Sequence, residues 1–377
     1  MFYDAICLNY FAQDVTPTSG GQVRSLKLIE HLSDLGLNIA LVYVGAKNIQ
    51  RPPRIISETI SEFYFPSTPK DISIYQDINK KFSVKVGIDT TLIWTSEFNS
   101  PLLSFINNNL KTTGVLFGQH FSFAPAIKNF NNQKFIFTHN LEWLIKDQLW
   151  KNKKLAELIK HKEILYLNFF DKVFLCSEIE KEILTVHFGF NEKKIVVVPN
   201  GSSFLIDSKS YSVKSQNECL FLASSWHSNV TGFMSMIEKN ERFLKNFRIN
   251  LVGSIGNALS EEIKVKNPNL IVWGTVNEET IYKIAKNSAF AINPVTSGAG
   301  TNVKNADYLG LGLPILTTPV GLRGFDKFKE HITCIEIENW DIFEPSSLKA
   351  VPVTVSKQVG WSNQMKIISK HLNLGNS

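Results

Sequence analysis

Short unbroken apolar runs alternate along this chain with segments of helical period. A first strand is predicted from Ala5 to Phe11, followed by a polar loop from Asp14 to Gly20 that contains Pro17. Val23, Leu26, Leu28, Ile29, Leu32 and Leu35 then recur at helical spacing and stop at Gly36, and Asn38 to Val44 is a second strand. Unbroken apolar runs mark strands buried on both faces, and strand–loop–helix–strand repeats build parallel sheets covered by helices. Further strands are predicted at Glu62–Phe65, Thr91–Trp94, Gly114–Phe117, Lys134–Phe137, Asp171–Ser177 and Lys194–Val198, with a helix from Glu180 to Phe188. Lys146 to Phe170 reads as one long amphipathic helix. Polar residues from Ser202 to Gln216 read as a connection between domains.

The pattern restarts with strands at Glu218–Leu222, Phe247–Val252, Asn269–Trp273, Ala289–Ile292 and Pro314–Thr318. It becomes irregular after Cys334–Ile337, and a final helix is predicted near Ser362 to Leu372. The predicted class is α/β: two Rossmann-like, doubly wound domains facing a central cleft. The boundaries are 1–205 and 206–357, with a C-terminal helix at about 358–377 packing back on the first domain.

Composition changes this picture little. A chain of 377 residues is long for a single core, which supports two domains. The formal charge of +6 permits anionic substrates or a lipid surface and demands neither, and no nucleic acid is expected as a partner. The four cysteines, Cys7, Cys176, Cys219 and Cys334, show no paired spacing and read as thiols of a reducing compartment. No apolar window reaches the ~20 residues that span a bilayer, and no secretory signal is evident, so a cytoplasmic location is expected. Lys151, Lys153, Lys154, Lys160 and Lys162 give the long helix 146–170 a basic side. Such a side is usually solvated, and in a minority of cases it rests on a membrane, here its cytoplasmic face.

The densest chemistry lies between Asn293 and Pro319. The patch Ser297-Gly-Ala-Gly-Thr301 feeds a helix from Asn302 to Leu311, ended by Gly312 and Pro314. Free N–H groups and the positive dipole end make such a place able to bind an anion. Lys304 and Asp307, three apart, share a helical face: a cation for phosphate, a carboxylate for ribose hydroxyls. The alternative is a tight turn with a solvated ion pair. Gly20 and Gly21 follow the first strand, where open α/β sheets place ligands. His139 ends a predicted parallel strand and is a site candidate, with His120 at the end of the neighbouring strand the weaker one; a structural hydrogen-bonding role is the commoner fate of such a histidine.

In this order, Gly20-Gly21 with Arg24, His139-Asn140-Leu141-Glu142, Ser177-Glu178, Val198-Pro199-Asn200-Gly201, Gly298-x-Gly300-x-x-x-Lys304-x-x-Asp307, Gly312-Leu-Pro314 and Thr318-Pro-x-Gly321 resemble the GT-B glycosyltransferases of the family 4 type. The resemblance spans nearly the whole chain. It implies transfer of a hexose-type sugar from a nucleotide-sugar to a hydroxyl acceptor, with retention at the anomeric carbon. The implied acceptor is a glycan or lipid-linked saccharide, as in polysaccharide biosynthesis. It implies no bound metal or other cofactor, and the absence of a DxD motif agrees.

By resemblance, Gly20 and Gly21 face the donor phosphate and the acceptor, and His139 lies near the sugar. Gly298, Gly300, Thr301 and Asn302 line diphosphate and sugar, Lys304 neutralises diphosphate, and Asp307 takes the place of a ribose-binding glutamate. Thr275 and Val276, after Gly274, read the base. Two departures stand out. Thr296 or Ser297 replaces the family's first glutamate, and Ser224, Ser225, His227 and Asn229 replace its arginine–lysine pair. Diphosphate charge would then rest on Lys304, helix N-termini and Arg323. Two other readings stay open: a silent binding subunit supporting a partner transferase, and a nucleotide-sugar epimerase using Glu142 and Glu178. A dehydrogenase is disfavoured, because no G-x-G-x-x-G follows the first strand.

Overall fold

The computed structural model describes residues 2–10, 20–45, 51–150, 152–206, 217–298 and 300–372. The predicted polar loop before Gly20, Phe11, Lys151, residues 207–216 of the predicted connection and residues 373–377 lie outside them. The chain divides into two compact units, Met1–Val198 with Met365–Ser377, and Pro199–Gln364.

The first unit holds an eight-stranded sheet in the order β3-β4-β2-β1-β5-β6-β7-β8. Its strands are β1 (Tyr3–Asn9), β2 (Ile39–Val44), β3 (Arg54–Ile55), β4 (Ile60–Phe65), β5 (Leu110–Gly118), β6 (Gln133–Phe137), β7 (Lys172–Leu175) and β8 (Ile195–Val197). All neighbours pair parallel except β3 with β4. β1 and β2 are buried almost throughout, as unbroken apolar runs require. The chain leaves β1 toward β2 and returns on its other side as β5, so β1/β5 is the point where the winding reverses. The C-terminal helix Trp361–Ser369 meets this unit: His31 Nε2 and Ser369 Oγ are 2.7 Å apart, and the His371 ring lies 6.0 Å from that of Phe174.

The second unit holds six strands, β9 (Glu218–Leu222), β10 (Arg248–Val252), β11 (Leu270–Gly274), β12 (Phe290–Asn293), β13 (Ile315–Thr317) and β14 (Ile332–Cys334). Their order is β11-β10-β9-β12-β13-β14, all parallel, with the winding reversing between β9 and β12. Its core packs Phe221, Phe233, Phe243, Phe247, Phe290 and Trp340.

Two expectations are corrected. Thr91–Trp94 is not a strand but part of the helix Ile88–Thr95, which starts after Gly87 with Asp89 in its first turn. A short, wholly buried apolar run carries no period, so strand and helix look alike in sequence. The long helix 146–170 is two helices, Glu142–Trp150 and Lys153–Leu167. Asn152 begins the second by accepting from the Leu155 N–H and donating to the Phe82 carbonyl, which holds the break in place. The basic side is correspondingly reduced. Lys160 pairs with Glu157 and Lys162 donates to Tyr166 Oη, while Lys153 and Lys154 stay exposed.

Candidate functional site

In the second unit the carboxyl ends of β9 and β12 flank the reversal of winding, where open α/β sheets bind ligands. β9 leads through Ser224, Ser225 and Trp226 into the helix His227–Lys239, and β12 leads through the glycine loop into the helix Val303–Gly310. Gly298 has φ 122° and Gly300 φ 67°, conformations that favour glycine. A Cβ added at Gly298 would lie 3.5 Å from Ser228 Oγ and 3.7 Å from Arg323 Nη2. The loop thus gathers the first turn of the 227–239 helix and the Arg323 guanidinium.

Lys304 projects from the first turn of the 303–310 helix, donates to Asn229 Oδ1 at 2.5 Å and lies 5.5 Å from the centroid of the Phe221 ring. Among the described residues no carboxylate pairs with it. Burial lowers its pKa to about 7. The helix start itself is pinned from below. Asn293 Nδ2 donates to Asn305 Oδ1 at 2.9 Å, and Asn305 and Asn302 both donate to the Gly321 carbonyl. Thr301 Oγ1 accepts from Asn200 Nδ2 at 2.6 Å.

Asp307 turns the other way. Its Oδ1 meets Ser202 Oγ at 3.0 Å, and burial raises its pKa to about 7. Lys304 and Asp307 therefore form no ion pair, and each is held by its own neutral partner. Ser225 and His227 are exposed at the start of the 227–239 helix, and Asn229, the partner of Lys304, is buried. Thr275, exposed, and Val276, packed on the core, follow β11 at the sheet edge, two strands from β9. At ordinary strand spacing that is about 10 Å away.

In the first unit the structure brings Gly21 and His139 together: a Cβ at Gly21 would lie 3.5 Å from the His139 ring. Gly20 opens the helix Gly20–Asp34 beside it, and Ser25 Oγ lies 3.4 Å from His139 Nε2. Burial first, then the charge of Arg24, outweigh Glu142 and lower the His139 pKa to about 3, so its ring is neutral at ordinary pH.

The segment carrying His139 is braced by buried ionisable side chains to which sequence reading gave no such role. Arg24 Nε donates to the Thr138 carbonyl at 2.9 Å, with its guanidinium 3.9 Å over the Phe137 ring. Glu180 accepts from the backbone N–H groups of Leu141 and Cys176. Glu163 accepts from those of Glu142 and Trp143, at 3.0 Å each. The available signal was a carboxylate on the apolar face of a helix, since Glu163 follows Ile159 by four residues and precedes Leu167 by four. Glu178, nominated beside Glu142, is exposed against Lys181.

Asp89, His120 and Glu142 each offer one ligand atom, all within 4.8 Å of one another, the spacing of a metal site. The cation between the two carboxylates is Lys146, 2.5 Å from Asp89 Oδ2 and 3.7 Å from Glu142 Oε2. A metal ion would have to displace that ammonium.

No family model and no curated protein matches this sequence. Solved structures do match it. It is similar to sucrose-phosphate synthase from Thermosynechococcus elongatus, with a TM-score of 0.69 at 10% identity over 97% of each chain. It is similar to α,α-trehalose-phosphate synthase (UDP-forming) from Burkholderia vietnamiensis, with a TM-score of 0.67 at 9% identity over 99% of each. The fold is GT-B. The catalytic domain of starch synthase IV from Arabidopsis thaliana, solved with ADP and acarbose, also shares it, with a TM-score of 0.61 at 11% identity over 98% of each. At such identities the GT-B likeness speaks for the fold, and chemistry has to come from the site.

Proposed function

We propose that this chain is a glycosyltransferase that moves a sugar from a nucleotide-sugar to the hydroxyl of a saccharide or lipid-linked saccharide, retaining the anomeric configuration and using no metal. The observation that carries the reading is Lys304: a partly buried amine with no carboxylate partner among the described residues, beside a glycine loop and a helix start. Taking a cation out of water without a counter-charge is costly, and an anionic ligand offsets that cost. A diphosphate suits the place, because it supplies several oxygens to the ammonium, to Arg323 and to the backbone N–H groups at once.

In this reading Gly298, Gly300, Thr301, Asn302, Ser225, His227 and Asn229 surround diphosphate and sugar. Lys304 and Arg323 stabilise the charge that develops as the diphosphate leaves. Thr275 and Val276, about 10 Å away by strand spacing, suit the base. Asp307 takes the ribose through a hydroxyl or a bridging water, since Ser202 already occupies one of its oxygens. Gly20, Gly21 and the neutral His139 serve the sugar and acceptor end, with His139 as a hydrogen-bonding group rather than a cation. The same proposal places the chain in the cytoplasm, with Lys153 and Lys154 available to a membrane face where the acceptor is lipid-linked.

The test is turnover. Nucleoside diphosphate release is followed from a panel of UDP-, ADP-, GDP- and dTDP-sugars, with and without saccharide acceptors. The proposal expects release that a saccharide accelerates; no release from any donor would contradict it.

A further inference from the structure

At the carboxyl ends of β5 and β6 in the first unit lies a cavity of about 10 Å³, lined among others by Gln119, His120, Thr138, His139, Asn140 and Glu142. That is room for about one water-sized oxygen. Of the lining residues, His139 and Asn140 are partly exposed.

Its polar lining is incomplete. His120 Nδ1 accepts from the Ser122 backbone N–H at 3.2 Å, so in the neutral ring the proton sits on Nε2. His120 is 3% exposed, and its Nε2 has no hydrogen-bond partner among the described residues; Glu142 Oε2 is 3.9 Å away, beyond direct reach. Gln119, fully buried, accepts at its Oε1 from Asn9 Nδ2 at 3.0 Å, and among the described residues its Nε2 has no partner. Glu142, 8% exposed, gives its Oε1 to Asn140 at 2.8 Å, and its Oε2 has only Lys146, at 3.7 Å, and His120 beyond hydrogen-bond distance. An oxygen about 2.8 Å from both His120 Nε2 and Glu142 Oε2 closes the gap. A donor at His120 Nε2 and an acceptor at Glu142 Oε2 are what a hydroxyl satisfies by accepting and donating, and Gln119, with its own Nε2 donor, lines the same cavity.

We infer that this cavity is a subsite for one hydroxyl of a saccharide substrate, which accepts from His120 and Gln119 and donates to Glu142; water fills it when no saccharide is bound. The inference rests on the glycosyl-transfer reading for its ligand class. It gives His120 and Gln119 a role in saccharide specificity separate from His139.

Crystal structures of the full chain, alone and soaked with glucose, galactose or mannose, test it directly. With a hexose, a ring hydroxyl is expected within hydrogen-bond distance of His120 Nε2 and Glu142 Oε2, in place of the water. An empty cavity, the same water in every structure, or hexose bound only elsewhere would overturn the subsite. Kinetics supply a second arm. Gln119→Leu and His120→Ala should each raise the saccharide KM about fivefold to tenfold, the size of one lost hydrogen bond, with the donor KM unchanged within twofold. His120→Gln, whose amide nitrogen falls near the place of Nε2, should recover most of that loss, and melting temperatures confirm that each variant folds. Unchanged saccharide KM values, or donor and saccharide KM rising together, would overturn it. Failure of the wild type to turn over any donor counts instead against glycosyl transfer, and the hexose structures then still decide the subsite.

Discussion

Lys304 is where sequence and structure meet most closely. The spacing Gly298-x-Gly300-x-x-x-Lys304 identifies a cation on the first turn after a glycine loop, because loop, helix start and lysine are contiguous in the chain. What the spacing could not reveal is that Lys304 and Asp307 do not pair. Their separation permits an ion pair, but Asn229 and Ser202, distant in sequence, hold them apart. The unpaired state has a consequence in pH. With a pKa of about 7 in the free protein, Lys304 is mostly uncharged at pH 8, and a bound diphosphate raises its pKa. The complex then holds more protons than the free protein, so affinity falls as pH rises through 7. Calorimetry at pH 8 in buffers of different ionisation enthalpy should show net proton uptake on binding nucleoside diphosphate.

Among elements, the strands were largely legible, since unbroken apolar runs between turn signals need few long-range cues. Helix Ile88–Thr95 was not, because a buried run without period is decided by its surroundings, and the break at Asn152 was not, because it depends on the Phe82 carbonyl. The bracing of the 138–143 segment was hidden for a related reason: Arg24, Glu163 and Glu180 arrive from three separate helices. Glu163 can be tested. Burial first, then the nearby charge of Glu142, raises its folded pKa to about 8, outweighing its two backbone hydrogen bonds. The folded state therefore binds more protons than the unfolded one between about pH 4.5 and 8, and stability from this group is present at low pH and lost across that window. Urea unfolding should show wild-type stability falling relative to Glu163→Gln between those pH values, by at most about 5 kcal/mol. Parallel pH profiles for the two proteins would exclude Glu163 as the source.

At the scale of the molecule, two Rossmann-like units were readable from the restart of the strand pattern at Glu218. The assembly of His120, Glu142, Asp89 and Lys146 was not, since it joins three elements spread over residues 89–146. The second unit carries every residue proposed for the diphosphate. Hydrogen exchange with bound nucleoside diphosphate should therefore slow at 223–229 and 298–305 and stay unchanged in β1 and β5. Ligand at ~100 times its dissociation constant adds about 2.7 kcal/mol to the stability of whatever opens with that site.

The central claim, a partly buried lysine with no carboxylate partner among the described residues, kept for a diphosphate, is tested most directly by calorimetry of UDP, ADP, GDP and dTDP with wild type and Lys304→Ala. Wild type should bind at least one of them. Lys304→Ala should bind that nucleotide roughly 10- to 100-fold more weakly, the loss of a charged hydrogen bond, while its melting temperature is unchanged or higher because a partly buried charge without a carboxylate partner is gone. Equal affinity in the two proteins, or weaker binding explained by a variant that melts well below wild type, would contradict it.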